Sequence, residues 1–249
     1  MSAPVYVILG GTGGLGTPLV ERLTAGGARV VVGARDETRL AALAGATGCE
    51  AFALDATQAE AVDGLVAGAR ERHGRVDGVA NLVGSILLKP AHALSPDDFE
   101  TTLRLNLTTA FNAVRAAARH ALKNPEPAGA SVVLMASVAA RIGLANHEAI
   151  AAAKAGVVGL AQAAAATYAA RGLRVNCVAP GLVRTPLAGR LVATDQAVEA
   201  SAQMHPLGRI GEPADITDAL LFLLDRERSG WVTGQTLSVD GGLSTVRPR

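Results

Sequence analysis

Short apolar runs alternate with longer amphipathic stretches along almost the whole chain. The short runs are rich in successive Val, Ile and Leu, which is typical of parallel strands covered on both faces. They predict strands at Val5–Leu9, Arg29–Gly33, Glu50–Leu54, Asp77–Asn81, Ala130–Ala136, Leu173–Val178 and Thr236–Val239. The intervening stretches predict helices at Leu15–Ala25, Thr38–Ala46, Gln58–His73, Asp97–Lys123, His147–Ala170 and Pro213–Leu224.

The order of these elements predicts the fold class. Alternating strands and helices imply right-handed crossovers, and therefore an α/β fold with a doubly wound parallel sheet of seven strands flanked by helices. Ligands of such sheets bind beyond the carboxyl ends of the strands. We expect a single domain over residues 1–249, a length that one large α/β domain accommodates. Thr185–Gly211 has no clear strand, and is either a mobile flap over a substrate or an ordinary surface excursion.

A glycine-rich loop, Leu9–Gly16, follows the first predicted strand and opens the first predicted helix. Glycines allow a sharp turn and a close backbone approach to a pyrophosphate, and the helix N-terminus offers free N–H groups. Gly10, Gly14 and Gly16 have the spacing GxxxGxG. In this strand–loop–helix context a Rossmann-type dinucleotide site is favoured over a tight turn without a ligand.

Further motifs in the same order resemble the short-chain dehydrogenase/reductase family, and in particular its 3-oxoacyl-acyl-carrier-protein reductases, over essentially the whole chain. These motifs are Asp55, Asn81-Leu82-Val83-Gly84 in place of the family's NNAG, Asn106, Pro180-Gly181-Leu182-Val183-Arg184-Thr185 and Val239-Asp240-Gly241-Gly242. The resemblance implies a cofactor-binding set of Gly10, Thr12, Gly13, Gly14, Leu15, Gly16, Arg35, Asp55, Ala56, Asn81, Val83, Gly84, Lys154, Pro180, Gly181, Val183 and Thr185.

The end of the second strand predicts which cofactor is preferred. Ala34 stands where an acid would accept a hydrogen bond from the ribose 2′-OH of NAD, and Arg35 follows it. A guanidinium suits the 2′-phosphate of NADP because it donates two parallel charge-assisted bonds. NADP(H) is therefore favoured over NAD(H). The alternative is a solvated Arg35 with Asp36 serving the ribose.

The family's catalytic set is incomplete in this chain. The resemblance assigns Ser137 to orienting the substrate oxygen, Lys154 to lowering the pKa of a tyrosine and holding the ribose, and Asn106 to a water relay. The tyrosine belongs four residues before the lysine, one turn away on the same helix face. That position holds Ile150, whose side chain cannot exchange a proton.

No other tyrosine is placed to replace the missing one. Tyr6 begins the first strand, at the wrong end of the sheet, and Tyr168 lies fourteen residues beyond Lys154 on the same helix. His147 lies seven residues before Lys154, where enoyl reductases related to the family place a tyrosine, and imidazole titrates near neutrality. His147 is therefore a candidate proton donor, although a helix-cap histidine is the commoner interpretation.

The amino-acid composition restricts the classes of molecule that the protein is expected to bind. The chain has 23 basic and 22 acidic residues and a formal net charge of +1, which gives no electrostatic footprint for nucleic acid or an anionic membrane. No apolar run is expected to span a membrane and no secretory leader is recognised, so a cytoplasmic protein is expected. Cys49 and Cys177 are expected to be buried thiols. No metal site is predicted, and His73, His92, His120 and His205 are expected on solvated faces.

Three functions remain open at this stage. The first is an NADP(H)-dependent oxidoreductase that interconverts a carbonyl and an alcohol, with an atypical proton donor. The second is a catalytically silent dinucleotide-binding protein, and the third an enoyl reductase-like activity using His147. A small, partly apolar substrate is expected, from apolar residues at Leu144, Leu182, Val183 and Leu187. The resemblance implies a homotetramer, to which the alanine-rich helix after Ala149 contributes.

Overall fold

A computed structural model describes residues 2–123 and 129–247. The described residues contain a seven-stranded parallel sheet with the order β3-β2-β1-β4-β5-β6-β7, in which the strand order reverses between β1 and β4. The predicted fold class is therefore confirmed. The strands are β1 (Val5–Leu9), β2 (Arg29–Ala34), β3 (Glu50–Ala53), β4 (Gly78–Asn81), β5 (Ser131–Met135), β6 (Arg174–Pro180) and β7 (Thr236–Val239).

Helices cover both faces of the sheet. They are α1 (Gly16–Ala25), α2 (Glu37–Thr47), α3 (Ala59–His73), α4 (Pro96–Leu103), α5 (Thr109–Lys123), α6 (Glu148–Tyr168), α7 (Asp195–Met204), α8 (Pro213–Leu224) and the single turn α9 (Arg226–Ser229). Local sequence sets several ends: Asp36 and Ser95 cap α2 and α4 with side-chain oxygens, and Gly48 and Gly74 end α2 and α3 in the left-handed conformation.

Two apolar clusters, one on each face, form the core. Val7 and Leu9 of β1 pack with α3, α5 and α6, whereas Tyr6 and Ile8 pack with α1, α2 and α8. All five residues of β1 are buried, because a central parallel strand is covered on both faces. This packing leaves the carboxyl ends of the strands at one edge, next to the N-terminus of α1.

The predicted helix Asp97–Lys123 is wrong as a continuous α-helix. A π-helical turn, Arg104–Thr108, separates α4 from α5. Within it Asn106 is buried, and the Thr109 hydroxyl donates to the Leu105 carbonyl at 3.0 Å, which satisfies a backbone acceptor in the irregular turn. The periodic spacing of apolar residues continues through this single wide turn, so the sequence pattern does not reveal the π-helix. Such turns occur frequently at functional sites.

The stretch Thr185–Gly211 has more structure than its sequence predicts. It contains a 3-10 turn at Pro186–Ala188 and the helix α7, which has no buried residue and therefore no apolar stripe. Its end is fixed to α8, because Arg209 donates to both carboxyl oxygens of Asp215 at 2.7 and 2.8 Å. These hydrogen bonds lower the pKa of Asp215 to about 2.

Two histidines contradict the expectation of solvated faces. His205 is only 3% exposed; its Nδ1 contacts the Ser201 carbonyl at 2.7 Å and its Nε2 accepts from the Leu182 N–H at 3.3 Å. The His73 ring is 8% exposed and lies against Glu50. In both cases polar partners compensate for burial, which sequence spacing does not show.

One helix departs from the expectation that no apolar stretch is long enough to span a membrane. Residues 148–171, comprising α6 and the following turn, have a mean hydropathy of 1.5 and are long and apolar enough to cross a membrane by length and composition alone. Ala153, Val157, Ala161 and Ala164 on this helix are buried against the sheet. The packing of α6 as a core helix accounts for its apolar composition.

Candidate cofactor cleft and catalytic centre

An open cleft of about 750 Å³ lies along the carboxyl ends of β1 to β4, where the strand order reverses. Its volume is in the range of small-molecule and cofactor sites. The residues that line it are Gly10, Thr12, Gly13, Gly14, Leu15, Gly16, Gly33, Ala34, Arg35, Asp36, Arg39, Leu54, Asp55, Ala56, Leu82, Val83, Gly84, Leu105, Thr185, Pro186 and Leu187.

The cleft brings together most of the residues that the sequence predicts for a cofactor. Those that line it are Gly10, Thr12, Gly13, Gly14, Leu15, Gly16, Arg35, Asp55, Ala56, Val83, Gly84 and Thr185. Five predicted residues do not line it, namely Asn81, Lys154, Pro180, Gly181 and Val183. Of the apolar residues predicted around a substrate, Leu187 lines the cleft and is 55% exposed, whereas Leu144, Leu182 and Val183 do not line it.

The glycine loop is shaped for close approach by a ligand. Gly10 has a φ of +77°, and a methyl group added to Gly16 would clash with the Gly10 carbonyl oxygen, so the loop folds this tightly only with glycine at both positions. Helix α1 has no side-chain cap and no acidic residue in its first turn. Within the described residues no hydrogen bond occupies the N–H groups of Gly14, Leu15 and Gly16. An uncapped helix N-terminus with free N–H groups fits the pyrophosphate of a dinucleotide.

Two arginines and an acid stand at the end of β2. Arg35 and Arg39 both line the cleft, and Asp36 caps α2 by accepting from the Arg39 N–H at 3.0 Å. The capping bond commits one oxygen of Asp36 to the helix end. Arg35 could be identified from the sequence, whereas Arg39 could not. Arg39 becomes recognisable only once α2 is known to begin at Glu37 and to direct its first turn toward the cleft.

Asp55 lies at the end of β3, opposite the glycine loop in the cleft. The Thr57 N–H donates to Asp55 Oδ1 at 2.9 Å, and this hydrogen bond lowers the pKa of the carboxyl. The adjacent Ala56 carbonyl accepts from Asn112 Nδ2 at 2.9 Å, in the protein interior. The turn after β3 is thus held in place from two sides and presents an ionised acceptor to the cleft.

Hydrogen bonds tie the end of β4 to the π-helical turn. Asn81 Oδ1 accepts from the Val83 N–H at 3.3 Å, and Asn81 Nδ2 donates to Thr109 Oγ1 at 3.2 Å. Asn106 Oδ1 accepts from the Ser85 N–H at 3.2 Å, and Asn106 Nδ2 donates to Ser85 Oγ at 3.0 Å. Asn81 therefore supports the cleft from behind rather than lining it.

Lys154 lies immediately behind the cleft wall. Its side chain is 7% exposed, and Nζ donates to the Met135 carbonyl at 2.8 Å. A methyl group added to Gly84 would lie 2.8 Å from Asn106 Oδ1 and 3.5 Å from Lys154 Nζ. Only the backbone of Gly84 therefore stands between the cleft and the Lys154 ammonium and Asn106 carboxamide, because glycine has no side chain. Burial lowers the pKa of Lys154 to about 8, with Cys177 opposing this effect.

The remaining catalytic candidates lie after β5. Ser137 is half-buried, and its Oγ accepts from the Ala139 N–H at 3.2 Å at the start of a 3-10 turn. Ile150 is 4% exposed on the first turns of α6. Within the described residues, the position one turn before Lys154 therefore carries no group that can donate or accept a proton.

His147 is the residue before α6 and makes no side-chain cap to the helix. Its Nδ1 lies 2.7 Å from the Ala145 carbonyl, which fixes the proton on Nδ1 and leaves Nε2 as the other exchangeable position. Asn146 has a φ of +63° in this turn. The neighbouring Glu148 accepts from the Ala91 N–H at 3.2 Å and so connects α6 to the loop after β4.

The segment after β6 reaches over the glycine loop. A methyl group added to Gly14 would lie 2.7 Å from Pro186 Cδ and 2.9 Å from Thr185 Cβ. Thr185 Oγ1 accepts from the Ala188 N–H at 3.3 Å and so caps the following 3-10 turn. Thr185 lines the cleft, whereas Gly181 lies on the other side of the segment beside His205.

Comparison with known proteins shows where this arrangement recurs. The family model described as enoyl-(acyl carrier protein) reductase matches residues 10–244. The chain is 36% identical over 245 residues to a subunit of (2S)-[(R)-hydroxy(phenyl)methyl]succinyl-CoA dehydrogenase from Thauera aromatica, covering 96% of each chain. It is 32% identical over 243 residues to a 3-oxoacyl-acyl-carrier-protein reductase from Chlamydia pneumoniae, again covering 96% of each.

Solved structures have the same architecture. An actinorhodin polyketide ketoreductase with NADPH superimposes with a TM-score of 0.90 at 27% identity, covering 98% of each chain. The TM-score and the coverage show that the fold is shared over nearly the whole of both chains.

Proposed function

Because the chain belongs to the short-chain dehydrogenase/reductase family of oxidoreductases, we propose that it interconverts a carbonyl and an alcohol with NADP(H), using a proton donor other than a tyrosine. The substrate class is a 3-oxoacyl thioester, a ketone or a similar carbonyl. Three relatives support this class: those named as a 3-oxoacyl reductase, a subunit of a hydroxy(phenyl)methylsuccinyl-CoA dehydrogenase and a polyketide ketoreductase. The exposed Leu187 on the cleft wall supports it too.

The observation that carries the proposal is the cleft beside the uncapped N-terminus of α1. Free N–H groups of the glycine loop would bind the pyrophosphate, and Asp55 would accept from the adenine. Thr185 on the cleft wall would contact the nicotinamide carboxamide, and Lys154, which lies behind Gly84, would contact the ribose. When bound, the nicotinamide exchanges a hydride with the substrate. The protein's own side chains then bind the substrate carbonyl and donate or accept the proton.

Ser137 would orient the substrate oxygen from the end of β5. The proton must come from another group, because Ile150 replaces the phenol of the family. Two sources are proposed: His147 through Nε2, and a proton held near Asn106 and Lys154 at the Gly84 wall. Either source supplies general acid catalysis, worth about 10²–10⁴-fold in rate.

Arg35 and Arg39 support the preference for NADP(H). Both face the cleft at the end of β2, where the 2′-phosphate of an adenosine ribose would lie, and Ala34 offers no carboxylate there. Removal of one charge-assisted interaction costs about 1.5–3 kcal/mol, or roughly 10–150-fold in affinity. Arg35→Ala is therefore expected to weaken NADPH binding by that factor and to leave NADH binding unchanged.

The control for this change is Arg29→Ala, at the opposite end of the same strand. Fluorescence titration with NADPH and NADH measures both affinities. An equal loss for the two cofactors in Arg35→Ala would contradict the proposed preference, and an unchanged NADPH affinity would place the phosphate elsewhere.

The assembly and the cellular setting are part of the proposal. We expect a homotetramer of single-domain subunits over residues 1–249, located in the cytoplasm. The resemblance to the family supports the tetramer, and the small exposed residues Ala152, Ala155 and Gly159 on α6 allow close packing of another subunit. Sedimentation analysis of the full chain distinguishes a tetramer from a monomer or dimer.

Enoyl reduction is the second candidate. It is favoured by the description of the matching family model and by His147, which lies two turns before Lys154. In that reaction the hydride goes to a carbon–carbon double bond conjugated with a thioester, and the protonated atom is a carbon or an enolate oxygen. His147→Ala is expected to abolish enoyl reduction while leaving NADPH bound.

Oxidation of NADPH against ketones, 3-oxoacyl thioesters, quinones and enoyl thioesters tests these functions, with NADPH binding titrated separately. Turnover of a ketone or 3-oxoacyl thioester supports the proposal, and turnover of enoyl thioesters alone supports the second candidate. Tight NADPH binding without turnover of any member would instead indicate a catalytically silent dinucleotide-binding protein. Absence of NADPH binding would contradict the assignment of the cleft.

A further inference from the structure

The neighbourhood of Lys154 differs from that of an ordinary buried cation. The ammonium has three N–H groups, and among the described residues one hydrogen-bond acceptor is found for them, the Met135 carbonyl at 2.8 Å. Asn106 Oδ1 borders the same space at Gly84, 2.8 Å from the position that a Cβ would occupy. A buried cation with so few partners is costly unless it pairs with a ligand or gives up its proton.

The charges on the surrounding elements do not offset the ammonium. Cys177 on β6 is neutral near pH 7, because burial raises the pKa of its thiol to about 12. On α4, Asp98 pairs with Lys89 at 2.8 Å. On α6 itself, Glu148 binds the Ala91 N–H. Arg104 of the π-helical turn is a cation that acts on Asp55.

The cleft is accessible from this ammonium only because residue 84 is a glycine. Gly84 lines the cleft, and the space that a Cβ would occupy is 3.5 Å from Nζ. Asn106 Oδ1 borders the same space, 2.8 Å from the Cβ position, and Asn106 Nδ2 donates to Ser85 Oγ. Lys154 and Asn106 thus both lie against the Gly84 wall of the cleft.

We propose that Lys154 is the catalytic proton donor of the reaction, taking the role that the residue at position 150 cannot fill. This inference rests on the proposed function. In the reduction direction the carbonyl carbon accepts the hydride, and the C=O π electrons move onto oxygen. That oxygen takes a proton from Nζ, and the N–H bonding pair stays on nitrogen as the lone pair of a neutral amine.

The neutral amine recovers its proton from solvent in the open cleft at Gly84, and in the oxidation direction it accepts the alcohol proton. Desolvation favours the amine over the ammonium, so burial assists proton release rather than opposing it. The lowered pKa of about 8 also suits a general acid, because efficiency is greatest when that value lies near the working pH. His147 is a less direct source, since it lies about 10 Å further along the helix axis.

The first test measures the proton on Lys154 directly. The sequence contains three lysines, Lys89, Lys123 and Lys154, so protein labelled with ¹³C at the lysine ε-carbon gives three signals. Lys154→Arg removes one signal and so identifies it. The signal is expected to titrate with a midpoint near 8, as the lowered pKa requires. A midpoint near 10.4, the value of an unperturbed lysine, would overturn the inference whether or not the protein turns over a substrate.

The second test compares rates in a single turnover of NADPH with acetoacetyl-CoA between pH 6 and 10. The rate constant is expected to fall tenfold per pH unit above the midpoint that NMR gives for the NADPH-bound protein. Lys154→Arg keeps the charge and the hydrogen-bond donors but cannot release a proton. It is expected to bind NADPH and to reduce the ketone about 10²–10⁴-fold more slowly. Lys89→Arg, at a half-exposed lysine that pairs with Asp98, is the matched control and should react at the wild-type rate.

The outcomes separate this inference from the function on which it rests. A Lys154→Arg protein that reduces the thioester at the wild-type rate would show that Lys154 only holds the cofactor, and would leave the proposed function intact. A pH profile that disappears in His147→Gln and persists in Lys154→Arg would also overturn the inference. Wild-type protein that binds NADPH but reduces no carbonyl would refute the proposed function, and the inference with it.

Discussion

Ile150 and Lys154 lie one helical turn apart on α6, and together they define what is unusual about this chain. The side chain at position 150 is aliphatic and 4% exposed, and the ammonium behind it has a pKa lowered to about 8. The family normally transfers a proton from a phenol, whereas in the part of the chain that the structure describes the polar groups found around Gly84 are those of Lys154, Asn106 and Ser85. The chemistry at this site therefore depends on the environment of Lys154.

Restoring the phenol tests that view. Ile150→Tyr is expected to raise carbonyl reduction by at least about tenfold, because a phenol beside an ammonium is a better-placed general acid. The measurement is the single-turnover rate with acetoacetyl-CoA at saturating NADPH. Ile150→Phe adds the same ring without the hydroxyl and serves as the control. No gain in a folded, NADPH-bound Ile150→Tyr protein would show that the phenol position does not limit the reaction.

The lowered pKa of Lys154 also predicts a cost in stability. In the native state the lysine binds its proton less tightly than in the unfolded chain, so the cost is complete below pH 8 and disappears as the pH rises from 8 to 10.5. Lys154→Met removes this cost and is expected to increase the free energy of unfolding at pH 7 by at most about 3 kcal/mol. The lost hydrogen bond to the Met135 carbonyl reduces that gain by about 1 kcal/mol.

Urea unfolding of the cofactor-free protein at pH 7 and pH 10 measures this difference. The stabilisation should shrink at the higher pH. A Lys154→Met protein that is less stable than the wild type at pH 7 would mean that the ammonium is well compensated, contrary to its surroundings in the structure.

At this scale the sequence predicts residue identity better than residue environment. The glycine loop and Gly84 could be located from motif spacing because the backbone turns tightly or packs closely there and requires glycine. Arg35 and Asp55 could be located because each follows a predicted strand at the ligand-bearing edge of the sheet. The burial of His205 and the cleft position of Arg39 could not, because both depend on segments that meet only in the fold.

At the scale of elements, the π-helical turn between α4 and α5 does most to set the site. It turns Asn106 inward to the Ser85 backbone and hydroxyl. Thr109 holds this turn from behind, since its hydroxyl donates to the Leu105 carbonyl and accepts from Asn81 Nδ2. Periodicity predicted one continuous helix here because a single wide turn barely changes the apolar pattern.

Thr109→Val should therefore destabilise the protein. The change conserves shape but leaves the Leu105 carbonyl and Asn81 Nδ2 without their partner in a fully buried place, at a cost of about 1–3 kcal/mol. Thr167→Val is the matched control, since Thr167 makes the same kind of bond, to the Ala163 carbonyl, on an exposed helix face. Urea denaturation measures the free energy of unfolding of both variants. Equal small decreases in this free energy would show that Thr109 does not stabilise the π-helical turn.

On the scale of the whole molecule, the alternation of strands and helices was sufficient to predict the sheet and its ligand-bearing edge. Strand bounds agree to within one or two residues, because buried parallel strands consist of continuous apolar runs. Helix α7 was missed because it buries no residue and so has no apolar stripe. The sequence also cannot specify the substrate, which meets side chains from several loops at once.

Transfer of deuterium from NADPH labelled at C4 of the nicotinamide to acetoacetyl-CoA, read by mass spectrometry of the product, shows whether the protein is an NADP(H)-dependent carbonyl reductase. We expect a 3-hydroxybutyryl thioester carrying one deuterium at C3, formed from one labelled face of the cofactor and far less from labelled NADH. Firm NADPH binding without deuterium in any product, across ketones and 3-oxoacyl thioesters alike, would contradict this function.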